Sequence, residues 1–490
     1  MLEIQKKLTN SFYALLSMPA TAMGFALSIQ ISALSWILTT KYRLEIHDVG
    51  LVWAAGPIAG ILGQVIVGMI SDNVWFWNGR RRPFIFIGGF LAALMLLALP
   101  NIDVISSGLG IGGILGVAIA VALTLDLSIN ISFNPTRSII ADVTPEGIER
   151  TKGYSWMQTI SGTFGVLAYV IGAVWNNYVL IYFGVILVLI LSIIPTLFIE
   201  EPRELDTEGE SSDRNKSKAS FKEILNNIQP LWGFLIYAVY AITARLFKFE
   251  MDNYYVEIIC FAITIFFILK VILKNSEGLS KHETGIIGFK KVLAAHSFTW
   301  IGIQTMFVYM FAYVQYKVYG FTDGSTIPEE TQIEMGRIVS ISFLILNAVG
   351  ALLPVTVLEP LTRKIGRVKT HAIAISSMAI GYAGIIFVGF SPTIIYILMA
   401  ILGIGWASTI SLPFAIMSQK VDQAKMGLFM GLFNLSVVLP QLVASFGVGQ
   451  AVSKAGDKSL IFIVSTFTLA VSAILWFMVK EKKEDYKEAG

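Results

Sequence analysis

Apolar runs of about 20 residues, the length that crosses ~30 Å of hydrocarbon as a helix, recur along the chain between short polar turns. Six lie near 12–38, 48–71, 83–100, 109–135, 153–175 and 179–198. A charged, Ser-rich stretch follows from Glu200 to Glu223, EEPRELDTEGESSDRNKSKASFKE. It is poor in large apolar side chains and so predicts a solvated linker. Six more runs lie near 293–318, 337–358, 370–390, 393–418, 426–450 and 459–480. Two others, 229–246 and 253–273, sit between the sets, joined by RLFKFEMDN. Trp232, Tyr237, Tyr240, Tyr254 and Tyr255 in them suit the headgroup region. They read as an extra helical hairpin; a hairpin lying along the membrane surface is the alternative. The pattern predicts an all-α membrane protein: an N-terminal six-helix half (1–199), a cytoplasmic linker (200–228), a transmembrane hairpin (229–273), a C-terminal six-helix half (274–480) and a cytoplasmic tail (481–490). Six spans, a long polar loop and six spans is an arrangement of two pseudo-symmetric halves.

Composition agrees. The 490 residues are 55% hydrophobic and 14% charged, where soluble proteins carry ~25% charged residues. The net charge of +3 comes with bases gathered in short loops, a membrane-orientation pattern rather than a nucleic-acid one. Lys6, Lys7, Arg80, Arg81, Arg82, Arg137, Arg150, Lys152, Arg363, Lys364, Arg367, Lys369, Lys420 and Lys425 fall on one side, with the linker and the tail. Lys41, Arg43, Lys454 and Lys458 fall on the other. Both termini are therefore expected in the cytoplasm, with an even number of spans. A single cysteine, Cys260, excludes an intrachain disulfide and a Cys-based metal site. MLEIQKKLTN runs straight into the first span with no small-residue cleavage site, so it is not read as a removable signal. No HExxH, GxSxG or paired membrane-depth acids point to an enzyme, and no cofactor or metal is expected. Met306 and Met310 read as core packing.

The most informative stretch is LDLSINISFNPTRSIIADV, Leu125–Val143. Asp126 lies deep in a run that otherwise belongs in lipid. A carboxylate there costs about 2.5–3.5 kcal/mol on insertion scales, so it should face a cavity. Arg137 follows eleven residues later, which returns the helix to within ~20° of the same face, ~16 Å along. Asn130 and Asn134 fall on the same stripe. The bland reading of Asp126 is an ion pair with a base on another helix. For Arg137 it is a pair with Asp142 or Glu146.

The loop GMISDNVWFWNGRRRPF, Gly68–Phe84, places an Asp four residues after a Gly, then a Gly-Arg-Arg cluster. Gly68 permits close helix approach, and Asp72 can pair with a nearby Arg. Gly68, Asp72, Arg80, Arg81, Arg82, Asp142, Glu146 and Arg150 form a candidate gating set, since such pairs give discrete alternative packings. A plain positive-inside anchor is the alternative. EPLTRKIGRVK, Glu359–Lys369, echoes the loop after the second span of the second half.

The loop resembles the signature of the major facilitator superfamily. GRRRPFI (Gly79–Ile85), LDLSIN (Leu125–Asn130), NPTRSIIADV (Asn134–Val143), SLPFAIMSQ (Ser411–Gln419) and GLFMGLFNLSVVLPQ (Gly427–Gln441) resemble the sucrose transporter family. It comprises plant sucrose/proton symporters, their animal relatives and bacterial homologues, within the glycoside–cation symporter branch. The resemblance covers both six-span halves and leaves the hairpin outside. It implies proton-coupled uptake of a sucrose- or maltose-like disaccharide by alternating access, by a monomer in the lipid bilayer of a bacterial inner membrane, with no nucleic-acid partner. By motif position Asp126 matches the family's span-4 acid and Arg137 its essential Arg. Ile129 stands where the family has the first Asn of a pair, and Phe133 and Asn134 where plant members have Gln-Gly. Asp126 is then the titrating proton site, and Arg137, which keeps its charge, the fixed one. Sodium coupling in the same fold, or a non-transporting sugar sensor, are the other readings.

A sugar site needs amides for hydroxyls and aromatic faces for ring C–H surface. Candidates are Gln30, Asn130, Gln158, Gln304, Tyr309, Tyr313, Asn347, Trp406, Asn434 and Gln441. The alternative for each amide is an interhelical hydrogen bond, and for Trp406 plain packing. His296 and His371 fall near span ends and read as interfacial polar residues.

Overall fold

The computed structural model describes residues 3–60, 74–110, 113–145, 148–203, 221–247, 254–274, 278–322, 325–421 and 426–481. Gly68, Asp72 and Glu146 lie outside these stretches. The regular elements described are helices, apart from one tight antiparallel turn in which Phe76 and Gly79 exchange backbone hydrogen bonds. Twelve helices among the described residues are long and apolar enough to cross a membrane. The chain is an integral, multi-pass membrane protein.

The molecule divides into two compact units, residues 1–218 with 324–344, and residues 219–323 with 345–490. Unit 1 is built on α1 (Asn10–Thr40), whose N-terminus is capped by the Thr9 hydroxyl accepting from the Phe12 N–H at 3.4 Å. Around it stand α2 (Ile46–Trp53), α3 (Arg82–Ala98), α4 (Ile114–Val143), α5 (Ile148–Val174) and α6 (Asn177–Phe198). Pro83 in the first turn of α3 removes an N–H that a helix start leaves unbonded anyway. α1 packs on α4, α5 and α6, and α3 on α4 and α6. Phe12, Leu16, Ile85, Ile139, Ile140, Met157 and Ile199 close the basic end with a continuous apolar cluster. On α6, Tyr182, Ile186, Ile190 and Leu197 are exposed, whereas Leu180, Gly184 and Val188 are buried. A helix apolar all round, with one face outside the bundle, is a lipid-facing helix.

Unit 2 holds the hairpin α7 (Trp232–Leu246) and α8 (Tyr255–Ile272), then α9 (Lys281–Tyr313), α10 (Glu329–Leu353), α11 (Arg367–Val388), α12 (Pro392–Ser418), α13 (Met426–Val443) and α14 (Leu460–Phe477). The first part of α10 groups with unit 1. There Trp36 Nε1–H donates to the Gln332 carbonyl at 2.7 Å, and Ser32, Ser340 and Asn177 form a hydrogen-bonded trio. α8 is of membrane length, whereas α7, at 15 residues, is not among the membrane-length helices. α9 starts at Lys281 rather than near 293. Hydropathy senses only the apolar part, but the helix continues outward from a Ser280–Glu283 capping box through a proline-free stretch.

The most apolar window of α1 is 83% buried and that of α9 94%. These two are the central helices of their units, which is why they tolerate serines, threonines and amides that a lipid-facing helix does not. π-helical turns end α9 (Val314–Val318), α10 (Pro354–Leu358) and α13 (Ala444–Val448).

Candidate functional site

In unit 1 the acid stands where three elements meet. Asp126 on α4 is 4% exposed. Its Oδ2 accepts a hydrogen bond from Gln30 Nε2–H on α1 at 3.0 Å. Gly56, just beyond α2, lies beside the carboxylate: a Cβ there would sit 3.4 and 3.5 Å from its two oxygens, in ordinary van der Waals contact. Among the described residues no basic side chain is ion-paired with Asp126. The Asn130 amide turns back, donating to the Asp126 carbonyl at 2.8 Å. Arg137 lies further along α4, exposed, its guanidinium 4.3 Å from the centre of the Phe133 ring. Gln158, on α5, is also exposed.

At the basic end, Arg81 Nε–H donates to Asp142 Oδ2 at 3.0 Å, and both side chains are nearly buried. Asp142 is thus held by Arg81, not by Arg137 as one sequence reading had it: Arg137 lies more than a turn earlier on the same helix, while Arg81 reaches Asp142 from the start of α3. Glu201, beyond the end of α6, accepts backbone N–H groups from Arg80, Arg81 and Arg82 at 2.8, 2.8 and 2.7 Å. Its carboxylate caps α3, and Arg82 Nε–H donates to the Thr196 carbonyl. Glu149 accepts from the Tyr13 hydroxyl, and Lys152 lies 5.0 Å over the Tyr13 ring. Arg150 is placed in α5 by its backbone alone.

Unit 2 repeats the capping device. Glu481, after α14, accepts the N–H groups of Arg367 and Val368 at 3.2 and 3.0 Å. Gly366, at φ +93°, makes the turn between the short helix Glu359–Ile365 and α11, a conformation suited to glycine. The echo between the two loop motifs is therefore also an echo in structure, with an acid past the last helix of each half holding the start of its third. A signal for this was present in sequence: an acid immediately follows the final apolar run in both halves.

Unit 2 also gathers polar and aromatic groups. Gln441 Nε2–H on α13 donates to Gln304 Oε1 on α9 at 3.2 Å. Trp406 Nε1–H on α12 donates to Asn347 Oδ1 on α10 at 3.1 Å. The Trp406 ring meets Phe307 edge to face at 5.4 Å and Trp300 at 6.3 Å. Trp300, Gln304 and Phe307 are spaced four and three residues apart, so they share a face of α9. Trp300 and Phe307 were not singled out in sequence, because an aromatic in an apolar run carries no label. Asn434 is half-buried on α13.

Tyr309 and Tyr313 are placed otherwise. The Tyr309 hydroxyl donates to the Ala444 and Ser445 carbonyls, and that of Tyr313 to the Ile385 and Gly389 carbonyls. Both rings are buried, and they tie α9 to the π turn after α13 and to the end of α11. His296 and His371 are 2% and 0% exposed. This corrects the interfacial reading: span-end position says nothing about which face of the helix is turned inward.

A family model of the Major Facilitator Superfamily matches residues 17–445. A sucrose transport protein of Oryza sativa subsp. indica, SUT2, is 24% identical over 88% of this chain and 84% of its own length. Another of Arabidopsis thaliana, SUC4, is 22% identical over 88% of this chain and 82% of its own length. A crystal structure of the nucleoside transporter NupG shares the fold, with a TM-score of 0.64 at 13% identity, covering 96% of this chain and 100% of that one.

Proposed function

The chain belongs to the Major Facilitator Superfamily, and from that premise we propose that it is a secondary active importer bringing a disaccharide into the cell together with protons. It is a membrane transporter, not an enzyme. The sugar assignment is supported by relatives named as sucrose transport proteins across more than four fifths of the chain. The coupling assignment is supported by one observation above others: Asp126 is buried, bonded to the neutral amide of Gln30 and unpaired with any base among the described residues. A structural ion pair would have accounted for its insertion cost; a neutral amide does not.

In this reading Asp126 takes and releases the transported proton. Protonated, its carboxyl donates a hydrogen bond; ionised, it only accepts. The same carboxyl therefore presents two hydrogen-bonding faces to Gln30 and to a sugar hydroxyl as the cycle proceeds. Arg137 keeps a constant positive charge further along the same helix. Gln304, Gln441 and Asn347 supply hydroxyl partners, and Trp406, framed by Trp300 and Phe307, supplies an aromatic face. Arg81, Asp142 and Glu201 hold the basic end of unit 1 in one arrangement, which must release in another for access to alternate. Lysines and arginines in short loops put that end, the linker and both termini at the cytoplasmic face.

The test is uptake of labelled mono- and disaccharides into proteoliposomes, with pH and Na⁺ gradients imposed separately. The reading expects disaccharide accumulation driven by an inward proton gradient. Accumulation that needs Na⁺ and ignores pH moves the coupling ion to sodium. Sugar binding with no movement under either gradient identifies a sensor and overturns the transporter reading of this site.

A further inference from the structure

Lys290, in unit 2, is a buried cation with no anion beside it. It is 8% exposed and lies on α9 where that helix packs against α8 and against the Gln229–Leu231 turn leading into α7. Its Nζ donates to two neutral oxygens, Asn226 Oδ1 at 3.3 Å and Gln229 Oε1 at 3.5 Å. An ammonium has three donors, so these two long contacts leave one N–H for another acceptor. Among the described residues no carboxylate is ion-paired with Lys290, Glu223 on the short Asn226 helix included. Glu283, on the same helix as Lys290, is turned back onto the Ser280 N–H and hydroxyl. The charged groups that act on Lys290 are two more lysines, Lys274 and Lys270.

Membrane orientation accounts for part of this set. Lys270, in the last turn of α8, suits the negative end of the helix dipole, and exposed lysines at span ends anchor a chain in the headgroup region. Lysines with that role alone extend toward water. Lys290 does the reverse, turning inward against the start of the hairpin. A plain tie between α9 and that start needs an amide, not a charge. A buried charge is costly unless an opposite charge meets it, and two neighbouring lysines add repulsion. An ordinary ammonium loses its proton only near pH ~10.4, which leaves a wide margin before burial makes it neutral at physiological pH.

The charge cluster has apolar neighbours. Phe266, Leu269 and Leu273 on α8 are exposed. They share a helix face with the exposed Lys270 and Lys274, at spacings of three and four residues. Trp232, at the start of α7, meets Phe267 edge to face at 4.9 Å, and Lys270 lies 5.7 Å over the same Phe267 ring. Phosphate-binding bases beside an exposed apolar helix face fit a phospholipid rather than a free anion, and basic pockets between membrane helices bind such headgroups. We propose that Lys290, Lys270 and Lys274 form a binding site for the phosphate of an anionic phospholipid, whose acyl chains lie along α8. The lipid supplies the counter-charge that the protein does not, and it fastens the hairpin to α9, the central helix of unit 2. This is independent of the transported sugar and of the coupling ion.

Thermal unfolding of the purified, delipidated full chain tests this, because a ligand of the folded state raises the midpoint. Phosphatidylglycerol added to the detergent should raise it by several degrees. Phosphatidylcholine with the same acyl chains, which has no net charge, should not. Lys290→Gln keeps a donor for Asn226 and Gln229 but removes the charge, and the shift should be lost. Lys291→Gln alters the next position on α9, where Lys480 is the charged group in reach, and should keep the shift. Amine acetylation of the wild-type protein, read residue by residue by mass spectrometry, needs no variant. Phosphatidylglycerol should slow it severalfold at Lys270 and Lys274 relative to phosphatidylcholine. Equal effects of the two lipids in either measurement, or a phosphatidylglycerol shift that survives Lys290→Gln, overturn the proposal. A full shift produced by inorganic phosphate alone assigns the site to a free anion and overturns the lipid reading.

Discussion

Gln30 and Asp126 are joined by a 3.0 Å hydrogen bond that ties the central helix of unit 1 to its fourth span. The amide can stay in place whether the acid is charged or neutral, because a carboxamide both donates and accepts. A base in the same position would hold the acid in its ionised form. The pairing thus leaves Asp126 able to change its proton count without losing its partner.

Asp126→Asn keeps size and hydrogen bonding but removes the titratable proton. Accumulation against a gradient should disappear, with labelled sugar levelling at equal concentrations inside and out. Exchange of sugar at equilibrium should persist. Both are measured in proteoliposomes, the first with and the second without an imposed pH gradient. Undiminished accumulation by the variant would remove Asp126 from the proton path.

Arg81 and Asp142 form a nearly buried pair with one direct bond at 3.0 Å. Removing one partner of a buried pair costs about 3–5 kcal/mol, whereas replacing both by apolar groups is often near neutral. Asp142→Asn should therefore lower the thermal midpoint in detergent more than the double change Arg81→Met with Asp142→Leu. Equal midpoints for the two proteins would show that the pair carries little energy.

Glu201 caps three backbone N–H groups and Glu481 two. Loss of a helix cap costs about 0.5–2 kcal/mol. Glu201→Ala should sit toward the upper end of that range and Glu481→Ala below it, read as shifts in thermal unfolding. The reverse order would mean that the loop around Arg80–Arg82 is held mainly by the Arg82–Thr196 and Arg81–Asp142 contacts.

Trp406 donates to Asn347 and packs against Phe307 and Trp300. Trp406→Leu should raise the sugar KM several-fold with little change in maximal rate, the pattern of lost ground-state binding. Trp406→Phe, which keeps an aromatic face, should raise it less. An unchanged KM in a well-folded Trp406→Leu protein would assign the indole to packing alone.

Much of the architecture was legible in the chain because membrane insertion is decided locally. A run of about 20 apolar residues must be helical, since no other backbone arrangement satisfies its own polar groups in lipid. The same local energetics marked Asp126, whose cost could be read from its neighbours alone. The internal echo between Gly79–Arg82 and Gly366–Lys369 was likewise visible as text.

Partner choice was not legible. Periodicity told which residues share a face of one helix, but not which helix stands opposite. Asp142 or Glu146 was offered as a structural partner for Arg137, and the structure gives Asp142 to Arg81. Tyr309 and Tyr313 looked like sugar contacts, and their hydroxyls meet carbonyls at a π turn and a helix end. His296 and His371 looked interfacial, and both turn inward onto Trp476. By itself the sequence determined that the chain is built of membrane-length apolar helices, and it singled out Asp126 as an acid costly to bury. Tertiary structure alone decided which polar groups meet, because a hydrogen bond depends on distances of a few tenths of an ångström between helices far apart in the chain.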